Sequence, residues 1–181
     1  NHSFILTNLV NNVLSGNGVT ASNITFTSAD PSQIGFFSGG MLGTPALGVD
    51  SGIVISTGDI YDIPVGGNQP IIGKFAGEGD EDLLTVANSV LTNPAAGTIS
   101  ATAVAASLEF DFTVVGDAVE FKFVFASEEY NEYINTQYND VFAFFLSGPG
   151  ITGPYNSPAE FPDGAINIAL NSNSGNICKS I

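Results

Sequence analysis

An all-β fold, a jelly-roll-like β-sandwich with two short helices, is what this sequence predicts, and three observations predict it. Apolar residues alternate with polar ones over short runs, Leu108 to Phe112 and Val119 to Phe125 being the clearest. Strand-like pieces follow one another with Gly, Asn, Asp or Pro between them. The 14 Phe and 21 Gly in 181 residues point to a globular chain with an aromatic core and many tight turns rather than a disordered one. A chain of this length can bury a core without staples, so residues 1–181 are expected to form a single sandwich domain.

The elements follow in order. Ile5/Leu6, Leu9/Val10 and Val13/Leu14 recur every four residues and Ser15-Gly16 stops them, which predicts one short amphipathic helix. Strands are expected around Ile24–Phe26, Ile34–Phe37 and Ile53–Ile55, and an exposed loop over Tyr61–Pro70. Asp80-Glu81-Asp82 leads into Leu83, Leu84, Ala87, Val90 and Leu91 at helical spacing, ended by Asn93-Pro94. Carboxylates at a helix N-terminus complement its dipole, so the plain reading of that acidic trio is capping.

From Leu108 the period changes to two. Leu108, Phe110 and Phe112 alternate with Glu109, Asp111 and Thr113; after Gly116-Asp117, Val119, Phe121, Phe123 and Phe125 resume the alternation, which reads as a β-hairpin with one dry face. Val141–Leu146 is apolar throughout and reads as a central strand covered on both sides. Ile166, Ile168 and Leu170 suggest a last strand beyond the Pro/Gly-rich loop Ile151–Gly164.

Charge narrows the partners. Eighteen acidic residues against Lys74, Lys122 and Lys179 give a net charge of −15, a surface that repels phosphate backbones and argues against nucleic acid. Cations are the natural partners. No apolar run approaches the roughly 20 residues of a membrane-spanning helix, and no secretory signal is recognisable, so a mature or trimmed form is expected. Cys178 stands alone, which rules out an internal disulfide framework and a Cys-rich metal site.

The densest polar chemistry lies in the loop Ser127–Asp140, where Glu128, Glu129, Asn131, Glu132, Asn135, Asn139 and Asp140 all present hard oxygen donors. Calcium takes six to eight such oxygens in irregular geometry. The expected set is Glu128 or Glu129 with Asp140, joined by Asp80 or Asp82 from the other acidic cluster. Glu128 and Glu129 point to opposite faces of an extended chain, so both serve one ion only if the backbone bends there. Tyr130 and Tyr133, with Asn131 and Asn139, add aromatic faces and amides of the kind a calcium-assisted carbohydrate site uses. A solvated, hydrogen-bonded loop is the plain alternative.

Catalysis finds little support. A carboxylate pair for glycoside hydrolysis would need Glu128 with Asp111 or Asp140. His2, the only histidine, sits in the first turn and is a poor base for a nucleophile. The Gly pairs at 39–40 and 66–67 lack the Gly-Lys-Ser/Thr ending of a phosphate loop. Asn23-Ile24-Thr25 matches the N-glycosylation pattern, a motif with a high chance rate. A non-enzymatic module is therefore expected.

Phe125-Ala-Ser-Glu-Glu-Tyr130, Asn139-Asp-Val-Phe142 and Phe145-Leu-Ser-Gly-Pro-Gly150, preceded in order by Gly35-Phe-Phe-Ser38, the run from Gly48 to Gly58 and Gly79-Asp-Glu-Asp-Leu83, resemble the signature of the choice-of-anchor L domain. The resemblance implies an exported bacterial or archaeal surface protein, at the cell surface or outside it, acting as a surface, filament or adhesin module with other protein subunits as partners. It also implies a domain that continues for several strands past the matched region, so the last strands of the sandwich are expected to be missing. An edge left open in that way invites strand addition from a neighbouring chain.

Overall fold

The computed structural model describes residues 2–43, 46–63, 75–90, 97–126 and 140–169. The chain divides into two compact units, Asn1–Glu78 with Val104–Glu128, and Gly79–Ala103 with Glu129–Ile181. Among the described residues the strands form three two-stranded antiparallel sheets, accompanied by short helices, and none of these sheets closes into a barrel or sandwich.

In the first unit, helix α1 (His2–Leu9) passes directly into a π turn, Val10–Leu14. The Ser15 amide donates to the Val10 carbonyl five residues back, at 2.8 Å, which widens the last turn before the chain leaves it. The four-residue spacing of apolar pairs puts Leu6 and Leu9 on one face. They pack on Ile34 and are surrounded by Val13, Ile24, Phe26, Ile53 and Leu108, while Val10 is fully buried. Burial of such an aliphatic side chain contributes about 1.5–3 kcal/mol, so this small cluster is what fixes α1.

Strand β1 (Val19–Thr27) follows a turn in which the Val19 amide donates to Gly16 O at 3.2 Å and Gly18 takes φ +88°, a conformation that favours glycine. β2 (Ile34–Ser38) pairs with β3 (Ser51–Ile55), from Ile34 opposite Ile55 to Ser38 opposite Ser51. β1 pairs with β4 (Ser107–Val114), from Val19 opposite Val114 to Thr27 opposite Ser107. A bulge between Ser22 and Thr25 interrupts that ladder, and Asn23 sits in it at φ +52°. The predicted alternation holds on β4. Leu108, Phe110 and Phe112 are half-buried, whereas Glu109, Asp111 and Thr113 face water.

The second arm of the expected hairpin differs. Residues 121–126 keep the alternation, with Phe121, Phe123 and Phe125 half-buried between exposed neighbours, whereas Val119 is exposed; the segment lies outside the named strands and the ladder partner of β4 is β1. Alternation reports which face is dry and is silent about which strand lies alongside. A partner 80 or more positions away therefore left no mark in the local pattern.

In the second unit, α2 (Glu81–Val90) buries Val86 and Ala87. Val86 packs with Tyr155 and Ala165, and with Val141 and Ala143. β5 (Phe145–Leu146) pairs with β6 (Ile166–Asn167), and an isolated bridge joins Tyr155 to Ala165. The doubly covered central strand expected over Val141–Leu146 is a two-residue strand within half-buried chain, with Phe145 37% exposed. Asn167 explains part of the shortening: its side-chain oxygen accepts from the Phe144 amide at 3.2 Å and from Ala169 at 3.0 Å. A side chain here takes the place of a backbone acceptor, which satisfies the amides without extending a regular ladder. Leu170, Leu91 and Asn93-Pro94 lie outside the described residues, as does Pro64–Pro70 of the expected loop.

Candidate functional site

The residues predicted to bind calcium (Asp80, Asp82, Glu128, Glu129, Asp140) or a carbohydrate ligand (Tyr130, Asn131, Tyr133, Asn139) fall into two groups. Glu128, Glu129, Tyr130, Asn131, Tyr133 and Asn139 lie outside the described residues. Asp80, Asp82 and Asp140 are described and belong to the second unit.

Asp80 acts as a helix cap. Its Oδ1 accepts from the Leu83 amide at 2.8 Å, and its carbonyl accepts from the Leu84 amide at 3.0 Å as the first turn of α2 closes. Thr102 clamps the same residue: its hydroxyl accepts from the Asp80 amide at 2.8 Å and donates to the Asp80 carbonyl at 3.0 Å. The plain capping reading of the acidic trio is what Asp80 shows. Replacing Asp80 with Ala removes the cap and is expected to cost about 1 kcal/mol. Urea titration of the two proteins checks it, and equal midpoints would contradict the capping role.

Asp82 works as a tether. Its carboxylate accepts from the backbone amide of Asn156 at 3.0 Å and from the Asn156 side-chain amide at 3.2 Å, which holds the loop after β5 to the start of α2. Asn88 plays the matching part at the other end of the helix. Its amide donates to Leu84 O and Ile99 O, each at 3.0 Å, while its oxygen accepts from the Ile99 amide at 2.9 Å. Asp140 is exposed. Among the described residues no three His, Cys, Asp or Glu side chains gather as a metal site would require.

Asp111, the candidate carboxylate partner of Glu128, accepts from the Asn23 side-chain amide at 2.6 Å across the β1–β4 bulge. That bond also engages the nitrogen a glycan would modify in Asn23-Ile24-Thr25. Cys178 lies outside the described residues, and His2 opens α1.

One polar arrangement escaped the sequence reading. Asp30 and Gln33 form a capping box around the turn Pro31–Gln33. Asp30 Oδ1 accepts from the Ser32 amide at 2.9 Å, and Gln33 Oε1 accepts from the Asp30 amide at 2.8 Å. Gln33 is completely buried, and its Nε2 donates to Ser56 O and Thr57 O, each at 3.1 Å. The Ser32 backbone N–H, with its hydroxyl assisting and partial burial opposing, holds the Asp30 carboxyl below the usual carboxylate range. The signal was available: Asp30-x-x-Gln33 with Pro at the first position of the turn has the spacing of a capping box.

Among the described residues no helix is long and apolar enough to cross a membrane. No curated protein and no solved structure matches the chain. The family model described as the Choice-of-anchor L domain matches residues 1–180. With that match running along essentially the whole sequence, the chain belongs to the choice-of-anchor L domain family of exported surface proteins.

Proposed function

We propose that the chain is an extracellular surface or filament module of adhesin type, which presents a binding or assembly surface. In this reading calcium stiffens the acidic segment 127–140, and a strand from a neighbouring chain completes a jelly-roll-like sandwich. The observation that carries the reading is the family match over residues 1–180. The net charge of −15, which favours cations as partners, supports it further.

Calcium is tested by thermal melting with the ion and with a chelator. At a free calcium concentration about a hundred times its dissociation constant, binding to the folded state alone raises stability by about 2.7 kcal/mol. Chelation is expected to remove that increment. Superimposable melting curves would end the calcium part of the proposal. Strand addition is tested by light scattering over a range of concentrations: assemblies that grow with concentration support it, and a monomer throughout refutes it.

A further inference from the structure

The geometry points to a binding site for an alkylammonium group in the first unit, in the cleft where the chain leaving the π turn meets β4 and the segment that follows it. The cleft encloses about 210 Å³, and its lining includes Leu14, Asn17, Val19, Phe110, Glu120 and Phe121.

Each part of that lining selects against other ligands. Phe110 and Phe121 bring two aromatic rings to one cavity. Phe112 supports both, lying 6.3 Å from Phe110 and meeting Phe121 edge-on at 6.2 Å and 79°. Aromatic faces carry the negative end of a quadrupole and attract cations within about 6 Å. Glu120 is the charged residue of the lining and can only accept hydrogen bonds when ionised. Anions are opposed by Glu120 and by the field of a chain carrying −15, and the same field concentrates cations.

The identity of the cation follows from the remaining walls. Calcium or magnesium sites draw on several hard oxygen donors with carboxylates among them, and Glu120 is the one carboxylate of the lining. Leu14, Val19 and the two phenyl rings are apolar. They match the carbon part of an organic cation, whose charge is spread over or capped by methylene and methyl groups. A neutral apolar ligand would cover Glu120 without replacing its hydration, which is unfavourable. The π turn ends at Leu14, and Leu14 together with the residues that follow it, Ser15 to Asn17, lines the cleft.

The same chemistry has two sources, a small quaternary amine or the side chain of a partner's lysine. The test is an amide chemical-shift titration of the whole chain with choline, with its uncharged isostere 3,3-dimethylbutan-1-ol, and with N-acetyl-lysine methylamide. Choline or the lysine derivative is expected to shift Gly16, Asn17 and Phe121 with a dissociation constant on the order of millimolar, and the alcohol to leave them in place. Tighter binding of the lysine derivative identifies a protein ligand; tighter binding of choline identifies a small amine. Glu120→Gln should weaken either by about three- to tenfold, and because Glu120 is exposed that variant keeps the fold. Phe121→Leu should weaken it as well. Equal binding of the alcohol, an unchanged constant in Glu120→Gln, or shifts spread over all the acidic surfaces would overturn the site.

Discussion

Gln33→Leu is expected to lower the stability of the first unit by about 3–5 kcal/mol. Leucine fills nearly the same space, so the loss is one of hydrogen bonds rather than packing. Gln33 is completely buried and serves three backbone groups, the Asp30 amide and the Ser56 and Thr57 carbonyls. Those bonds fasten the residues just after β3 to the turn that precedes β2, beside the Ser56 amide bond to Gln33 O at 2.9 Å. Leucine leaves the three groups without this partner around a side chain that is itself completely buried. Denaturant unfolding followed by fluorescence or circular dichroism reads the loss, and a change under 1 kcal/mol would show that solvent or rearrangement replaces Gln33.

Gln33→Glu separates hydrogen bonding from shape. The glutamate retains an acceptor for Asp30 but faces two carbonyl oxygens with no donor unless it is protonated, so burial raises its pKa in the folded state above the unfolded value of about 4.3. A raised carboxyl pKa means the folded protein binds the extra proton. Relative to wild type, the variant is therefore least impaired below about pH 4 and loses stability as pH rises through the folded pKa. Asp30 has the opposite sign. Its carboxyl is held low by the Ser32 N–H, so its contribution to the turn is present above the unfolded pKa and disappears as pH falls through the folded one. Comparing both variants with Asp30→Asn at pH 3 and pH 7 resolves the two directions.

Sequence periodicity revealed the parts of the fold that depend on one face being dry. Leu6, Leu9 and Val10, the β4 alternation, and Ala87 all fall where spacing placed them, while the equally buried Val86 stood outside the expected apolar set of α2. Pairing was less legible, because β4 finds its partner in β1 across a bulge at Asn23 that alternation does not encode. The continuous apolar run at 141–146 misled for a different reason. Such a run fits a doubly covered strand, but Asn167 supplies an acceptor that ends the regular ladder after two residues. In the candidate site, capping by Asp80 was readable from local sequence. The Asp82–Asn156 tether spans 74 positions and was not, since neither residue type signals a long-range partner. Gln33 was readable in principle through its capping-box spacing, although its two bonds to residues after β3 were not.

Gly153→Ala is expected to destabilise the second unit by about 3 kcal/mol or more. A methyl group at this position would fall on the Ala165 carbonyl, a backbone group that cannot rotate away. The surrounding chain is already bonded on both sides. Gly153 N donates to Asp163 O at 3.0 Å, Tyr155 N donates to Ala165 O at 3.3 Å, and Ala165 N donates to Tyr155 O at 2.9 Å. Moving residue 153 outward therefore breaks the contact that seats Tyr155 and Ala165 against Val86, where the second core is built. Gly164, at φ +89° and close to the Gly153 carbonyl, marks the same approach from the opposite strand, and Gly164→Ala should be destabilising as well. Hydrogen exchange distinguishes this from a local effect. If the packing argument is right, amides in α2 lose protection together with those of the 153–165 segment; protection lost only around residue 153 would mean that the strand yields and the core does not.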